Sequence, residues 1–178
     1  VTVNDAGSSQ EWRALARRVE SLGFRSLFVP DHFGKQFAPF SALAVAATVT
    51  TTLRVGMLVG CNDFRHPALL AKEIATLDVL SDGRVDWGMG AGWFAPEYKA
   101  TGLPFDHAPV RVDRLIEAVS VAKATFGEVP STYAGTYYRV TDLDGYPKPV
   151  QRPHPPLLIG GAKRRMLEFA GREADIVG

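Results

Sequence analysis

The sequence has a single cysteine, Cys61, among its 178 residues. One thiol cannot form an internal disulfide, and it excludes a zinc site built on cysteines. The four histidines are scattered without the regular spacing of metal ligands; they are His32, His66, His107 and His154. We therefore predict no metal site.

Long apolar runs and a large net charge are also missing. No apolar run reaches the roughly 18 residues that a membrane-spanning helix needs, and no secretory signal is visible. The net charge is +1, and the basic residues are spread along the chain. These absences argue against a membrane or a nucleic acid as partner, so a cytoplasmic protein is the default expectation.

The composition, 46% hydrophobic and 22% charged, is that of an ordinary globular protein with enough apolar residues for one core. The chain begins at Val1 without a methionine and ends on a strand-like segment, Asp175 to Gly178. We expect it to be part of a longer protein, with residues 1–178 forming a single domain that continues on its C-terminal side.

The segment from Ser26 to Phe33 holds the first candidate site. Its apolar residues 27–29 lack polar alternation, which is typical of a strand buried on both faces in a parallel sheet. Asp31 and His32 follow at the carboxyl end of this strand, where such sheets bind their ligands. The alternative is structural: Asp31 caps a turn, and His32 is a half-buried, hydrogen-bonded histidine.

Strands and helices alternate about 30 residues apart, which predicts βαβ units and a parallel sheet. Predicted strands cover 1–3, 26–33, 54–59, 85–90, 157–161 and 174–178, and predicted helices cover 8–23, 40–50, 67–80, 112–127 and 163–171. Such a pattern suits a doubly wound sheet, or a (β/α)8 barrel that lacks its last quarter. A loop is predicted at 91–109. Residues 128–156, with a hairpin turn at 134–136 and many prolines, are expected as an excursion over the barrel top or at an interface.

Glycines at two strand ends indicate close approaches to the backbone. Gly88, Gly90 and Gly92 do not have the spacing of a dinucleotide-binding G-x-G-x-x-G, and no helix follows directly. Something nevertheless approaches the backbone there. Gly160 and Gly161 precede a short helix and form either a phosphate site with free amide groups or a plain strand-to-helix turn.

Two other residues are open to more than one interpretation. Glu97 either holds a hydroxyl or amide of a ligand or caps its loop. Cys61 is interpreted as a packing residue rather than a nucleophile, because no base is implied beside it. No Ser-His-Asp triad or pair of catalytic carboxylates is visible.

Five motifs, in order along the chain, resemble one known family. They are Asp31-His32, residues 56–67 ending Arg-His-Pro, residues 77–84, Gly88-x-Gly-x-Gly-Trp93 with Glu97, and the proline-rich residues 147–161. The chain resembles the bacterial-luciferase-like flavin and deazaflavin oxidoreductases, in particular the actinobacterial branch assigned to coenzyme F420. This resemblance implies a (β/α)8 TIM barrel, here incomplete with about six strands, and typically a homodimer.

The resemblance also places a cofactor ring at the carboxyl ends of the strands. The residues that it puts at the cofactor are Asp31, His32, Leu58, Val59, Gly60, Cys61, Gly92, Trp93, Glu97, Gly160 and Gly161. Asp31 and His32 match a catalytic pair beside the ring, with His32 as acid or base. Leu58–Val59 matches a non-prolyl cis peptide behind the ring, and Gly160 and Gly161 match backbone near the cofactor phosphate.

The leading hypothesis is an F420-dependent oxidoreductase that transfers hydride to or from a small organic substrate while His32 moves the proton. One alternative is an FMNH2-dependent monooxygenase of the same fold, which needs a flavin reductase as partner. Another is a non-catalytic flavin-binding homologue. Where some deazaflavin enzymes have an acidic catalytic residue this chain has Trp93, which argues against a sugar-phosphate substrate.

Overall fold

The computed structural model describes residues 1–4 and 7–178. The strands are β1 (Ser26–Val29), β2 (Arg54–Met57), β3 (Gly60–Cys61), β4 (Val85–Gly90), β5 (Ser131–Ala134), β6 (Arg139–Leu143), β7 (Leu157–Ile159) and β8 (Ile176–Val177). The helices are α1 (Ser9–Ser21), α2 (Pro39–Thr48), α3 (Pro67–Leu80), α4 (Ala95–Thr101), α5 (Ala108–Phe126) and α6 (Arg164–Glu173). A short 3-10 turn, Asn62–Phe64, precedes α3.

The parallel sheet has the strand order of an opened barrel. Its order is β1-β2-β4-β7-β8, with β3 also paired to β4, and Thr2 adds an isolated parallel bridge to Phe28 beside β1. Spatial order therefore follows chain order, whereas a doubly wound sheet reverses its order at a switch point. The structure confirms the predicted α/β fold as a partial barrel with six strand positions, counting the N-terminal segment and taking β2 and β3 as one.

The core lies between the sheet and the helices that follow its strands. All six residues of β4 are buried, as expected of a central strand covered on both faces. The indole nitrogen of Trp12 in α1 donates to the carbonyl of Ala42 in α2 over 2.7 Å, so the buried polar end of this large ring has a partner. Among the described residues, no helix is long and apolar enough to cross a membrane.

Several predicted boundaries are wrong, each for a local reason. β1 ends at Val29 rather than Phe33, because Pro30 has no N–H to continue the ladder. The strand predicted at 54–59 is interrupted after β2 by a cis peptide between Leu58 and Val59. Helix α4 was not predicted within 91–109; Pro96 lies in its first turn, where a missing N–H is tolerated.

The excursion at 128–156 divides into two parts. The predicted hairpin is confirmed as β5 and β6, and the Glu117 carboxylate of α5 accepts hydrogen bonds from the amides of residues 136–138. The proline-rich part lies at the opposite end of the barrel from the predicted top. There the Gln151 side chain donates to buried Asp78 over 2.7 Å and to the carbonyl of Val85, the first residue of β4, over 2.9 Å.

Glu20 of α1 stabilises the turn that leads into β2. Its Oε1 accepts hydrogen bonds of 2.7–3.0 Å from the amides of Thr51, Thr52 and Leu53. These hydrogen bonds lower the pKa of Glu20 from 4.5 to about 2, and the bond from the Thr52 amide has the largest effect. Because the folded-state pKa is the lower one, this stabilisation is complete above the unfolded pKa and is lost as the pH falls toward the folded one.

We therefore expect wild type to have a higher Tm than Glu20→Gln at neutral pH. The difference should shrink as the pH falls from 4.5 toward 2. Thermal melts of both proteins across this range measure the difference in Tm. Because the two proteins share all other titrating groups, the effects of those groups cancel in this difference. A difference that does not change with pH would contradict the role given to Glu20.

Candidate active site

A groove crosses the carboxyl ends of the strands. It consists of two adjoining cavities, the His32 cavity of about 140 Å³ and the Gly161 cavity of about 570 Å³. The cavities share the lining residues Leu58, Val59, Gly90, Gly92 and Trp93. Every residue that the sequence predicts at the cofactor lines one of them, except Gly60, which packs against the Met57 side chain. The fold therefore brings ten of the eleven residues together.

His32 is fixed in orientation by a carboxylate on α4. Its Nδ1 lies 2.9 Å from Oε2 of Glu97, while Oε1 of Glu97 accepts a 2.9 Å hydrogen bond from the Phe33 amide. A carboxylate accepts, so Nδ1 carries the hydrogen and Nε2 is left as the base. Glu97 thus orients His32, and a contact of Glu97 with a ligand stays a prediction.

Asp31 is held by a buried ion pair. Its carboxylate accepts hydrogen bonds from Arg65 Nη1 over 2.5 Å and Nη2 over 3.2 Å, and from the Cys61 amide over 3.0 Å. The side chain is only 5% exposed. Because both oxygens are occupied, this geometry suits a residue that fixes the loop before His32, and a catalytic role for Asp31 stays a prediction.

A buried hydrogen-bond chain supports α4 from below. The Tyr98 hydroxyl donates to Asp63 Oδ2 over 2.9 Å and lies 3.3 Å from the Cys61 sulfur, and Asp63 is paired with Arg114. Burial raises the pKa of Cys61 to about 11 and also raises the pKa of Asp63. Cys61 is therefore a thiol at neutral pH, which supports its interpretation as a packing residue.

Other atoms of the protein lie close to the backbone of Gly88, Gly90 and Gly92 at the end of β4. A Cβ at Gly88 would lie 1.8 Å from the Met57 carbonyl oxygen, and one at Gly90 would lie 2.7 Å from the Val59 side chain. At Gly92, where φ is +75°, it would lie 1.9 Å from the Tyr98 hydroxyl. The close approach predicted from these glycines is thus made by the segment around the cis peptide and by Tyr98.

Leu58 and Val59 form the wall between the two cavities. The peptide between them is cis, as the resemblance predicts. The Val59 side chain inserts between two glycines, since a Cβ at Gly90 or at Gly160 would lie within 2.9 Å of it. Leu58 and Val59 thus contribute an apolar surface to both cavities.

The amides of Gly160 and Gly161 are not free to bind a phosphate. The Gly160 amide donates to the Met89 carbonyl over 3.0 Å, and the Gly161 amide donates to the Gly178 carbonyl over 3.2 Å. The prediction of free amide groups at this pair is wrong, because both glycines continue the sheet. The amides of residues 164–166, in the first turn of α6, are the ones without an intrahelical partner.

Sequence reasoning missed several residues of the groove. They are Phe64, Phe94 and Tyr98 in the His32 cavity and Arg111, Lys163 and Arg165 in the Gly161 cavity. Tyr98 directly follows Glu97, but consecutive residues of a helix do not share a face, so the prediction of Glu97 gave no signal for Tyr98. Arg65 lies within the Arg-His-Pro motif, but nothing in the sequence indicates that it pairs with Asp31.

Comparisons with known proteins identify relatives of this chain. An uncharacterized protein of Mycobacterium tuberculosis is 31% identical over 186 residues, which cover 91% of this chain and 64% of that protein. The F420-dependent glucose-6-phosphate dehydrogenase of Intrasporangium calvum is 35% identical over 89% of this chain and 50% of its own length. The FMNH2-dependent dimethylsulfone monooxygenase of Pseudomonas fluorescens is 30% identical over 92% of this chain and 46% of its own.

Solved structures are also similar to this chain. An F420-dependent secondary alcohol dehydrogenase, in complex with an F420-acetone adduct, superposes with a TM-score of 0.88 at 27% identity, over 99% of this chain and 56% of that one. The chain thus spans about half to two thirds of the length of the proteins it matches.

Fold and groove together define a parallel barrel protein with an oriented histidine at the carboxyl ends of its strands. The sequence profile of the luciferase-like monooxygenases matches residues 2–178, and the chain belongs to this family. Its relatives include both F420-dependent dehydrogenases and FMNH2-dependent monooxygenases.

Proposed function

We propose that the protein is an F420-dependent oxidoreductase that transfers hydride between the deazaflavin and a small organic substrate. The observation that carries the proposal is the fixed imidazole of His32, which lines a groove large enough for a cofactor and whose Nε2 makes no hydrogen bond within residues 1–4 and 7–178. A histidine suits proton transfer because its unperturbed pKa lies near neutrality.

The groove fits a flat ring that carries a phosphate. Leu58 and Val59 offer an apolar surface between the cavities, and the larger cavity ends at the first turn of α6 beside the Lys163 side chain. Lys163 and the amides of residues 164–166 would hold an anionic group there. When bound, the deazaflavin would supply the hydride acceptor or donor, and His32 would take or return the substrate proton.

The second candidate function is an FMNH2-dependent monooxygenase. A flavin reductase would supply its reduced flavin. It is favoured by the dimethylsulfone monooxygenase relative, which matches the same part of the chain. We place it second because the F420-dependent glucose-6-phosphate dehydrogenase is 35% identical over 89% of this chain and the Pseudomonas fluorescens monooxygenase 30% over 92%. The dimethylsulfone monooxygenase of Pseudomonas putida is 36% identical, but over 61% of the chain. A homodimer and a cytoplasmic location are retained as parts of the proposal.

A fluorescence titration of the intact protein with oxidised F420 and with FMN decides between these functions. We expect the deazaflavin to bind at least tenfold more tightly, a difference of about 1.4 kcal/mol. Preference for FMN would support the monooxygenase, and oxygen uptake with a reductase would then be measured. Binding of neither cofactor would contradict both.

The Glu97→Gln variant tests the orientation of His32. A glutamine has one acceptor and one donor group, so it cannot accept from both the His32 imidazole and the Phe33 amide. We expect kcat to fall at least roughly tenfold and cofactor affinity to stay within a few-fold, because an orienting carboxylate also selects the tautomer. Nitrogen NMR of the imidazole reports the tautomer directly.

The matched control for this variant is Glu128→Gln. Glu128 is exposed after the end of α5, where it pairs with Arg152 away from the groove. The control should keep wild-type kcat. An unchanged kcat and an unchanged Nδ1–H tautomer in Glu97→Gln would remove Glu97 from the proposal.

A further inference from the structure

His32 and Glu97, the oriented pair of the site, lie on segments that are far apart in the chain. His32 follows β1 in a loop, whereas Glu97 lies on α4. Only Glu97 and Tyr98 are buried among the residues of this seven-residue helix, and no side chain caps its start. The position of Glu97 therefore depends on how Tyr98 is held.

Tyr98 is anchored in the turn that follows β3. Its hydroxyl donates to Oδ2 of Asp63 over 2.9 Å, and the Asp63 carboxylate is paired with Arg114 of α5 over 3.0 Å. Since the single hydroxyl hydrogen goes to Asp63, the Cys61 thiol, 3.3 Å away, is the donor to the hydroxyl oxygen. The Tyr98 hydroxyl is thus fixed both as donor and as acceptor, and it holds α4 from its buried side.

Asp31, the chain neighbour of His32, is held by the same turn. The Cys61 amide donates to Asp31 over 3.0 Å, and the Arg65 guanidinium pairs with the same carboxylate. Residues 61–65, the 61–65 turn, therefore hold both the residue before the histidine and the residue after the glutamate.

The contacts of the 61–65 turn are shielded from water better than the pair that they support. The side chains of Asp31 and Asp63 are each 5% exposed, whereas that of His32 is 32% exposed. Hydrogen bonds are electrostatically stronger where water is excluded, and ion pairs that are open to solvent contribute little stability. The 2.9 Å contact of Nδ1 with Glu97 is thus maintained mainly by the buried turn behind it.

From this arrangement we propose that the 61–65 turn positions the His32 imidazole for proton transfer, and that Asp63 and Tyr98 are positioning residues of the site. The inference rests on the proposed function, in which His32 moves the substrate proton. Asp63 lines neither cavity of the groove, and the Tyr98 hydroxyl is occupied within the protein. Both residues therefore act on the imidazole through α4 and Glu97.

Nitrogen NMR of the intact protein, with labelled histidine and without a cofactor, tests this positioning directly. Comparison with His32→Ala identifies the His32 signals, and wild type should show the Nδ1–H tautomer. Tyr98→Phe removes the hydroxyl but keeps the ring, whose centroid lies 4.7 Å from that of Phe105. We expect a mixture of the two tautomers in Tyr98→Phe, because Glu97 is no longer held beside Nδ1.

The matched control is Tyr146→Phe. Tyr146 is 79% exposed and lines neither cavity, so this variant should keep the wild-type tautomer. At Asp63, asparagine retains an oxygen that accepts from the Tyr98 hydroxyl, whereas alanine does not. We therefore expect Asp63→Ala to give the mixture and Asp63→Asn to retain most of the Nδ1–H form.

A double variant shows whether Tyr98 acts through Glu97. If it does, Tyr98→Phe added to Glu97→Gln should leave the tautomer ratio of Glu97→Gln unchanged, because both changes break the same path. A further change of the ratio overturns the inference. So does a Tyr98→Phe protein with a lower Tm and the wild-type tautomer, which is the result that a purely structural role would give.

F420-dependent turnover is the second readout. In Tyr98→Phe we expect turnover to fall about tenfold and F420 affinity to stay within a few-fold, because a misplacement of about 1 Å can cost up to about 10²-fold. Unchanged turnover in the folded variant overturns the inference. Failure of wild type to bind F420 overturns the proposed function instead, and the tautomer of His32 then still decides whether the 61–65 turn positions it.

Discussion

Replacement of His32 by alanine should lower turnover by about 10²- to 10⁴-fold while cofactor affinity stays within a few-fold. The reason lies in the geometry: Glu97 holds Nδ1, and Nε2 is the one free ionisable group that faces the His32 cavity among the described residues. Alanine removes the proton acceptor. It leaves the Leu58–Val59 surface and the α6 end of the groove unchanged.

Steady-state kinetics together with a fluorescence titration of the cofactor measure both quantities. The matched control is His107→Ala, since His107 is exposed and makes no side-chain cap at the start of α5. It should behave as wild type. Unchanged turnover in His32→Ala would remove His32 from the mechanism, and an equal loss of cofactor affinity would make it a binding residue instead.

The second large effect is expected at Gly88. An alanine Cβ there would lie 1.8 Å from the Met57 carbonyl oxygen and 2.9 Å from the carbonyl carbon, so backbone rather than a flexible side chain blocks it. Two neighbouring strands have to move apart in the centre of the sheet. We expect Gly88→Ala to lower the free energy of unfolding by about 3 kcal/mol or more, or to prevent folding.

Urea unfolding compares this variant with Gly171→Ala. Gly171 lies in α6, and no atom comes within 4 Å of a Cβ placed there. Alanine at a helical position should raise the free energy of unfolding by roughly 0.5–1 kcal/mol. If Gly88→Ala had the same free energy of unfolding as wild type, β2 and β4 would not be as close as the structure shows.

Short-range patterns were sufficient to predict most of the elements. The β4 strand and helix α3 have the predicted bounds, because large apolar residues at alternate positions (85, 87 and 89) and a proline at a helix start are local signals. Helix α4 was missed because a seven-residue helix shows too few turns for a periodic pattern. The proline-rich segment does not lie over the barrel top, because its position depends on long-range contacts such as those of Gln151 with Asp78 and Val85.

The sequence by itself determined the α/β class, the strand ends where the candidate residues lie, and Asp31 and His32 as the first of these. Chain order and apolar runs carry that information, since parallel strands all present their carboxyl ends to one side. Only the tertiary structure decided that Glu97 orients His32, 65 residues away, and that Arg65 forms an ion pair with Asp31. Those contacts are set by the packing of α4 and the 3-10 turn over the sheet, and no local pattern encodes them.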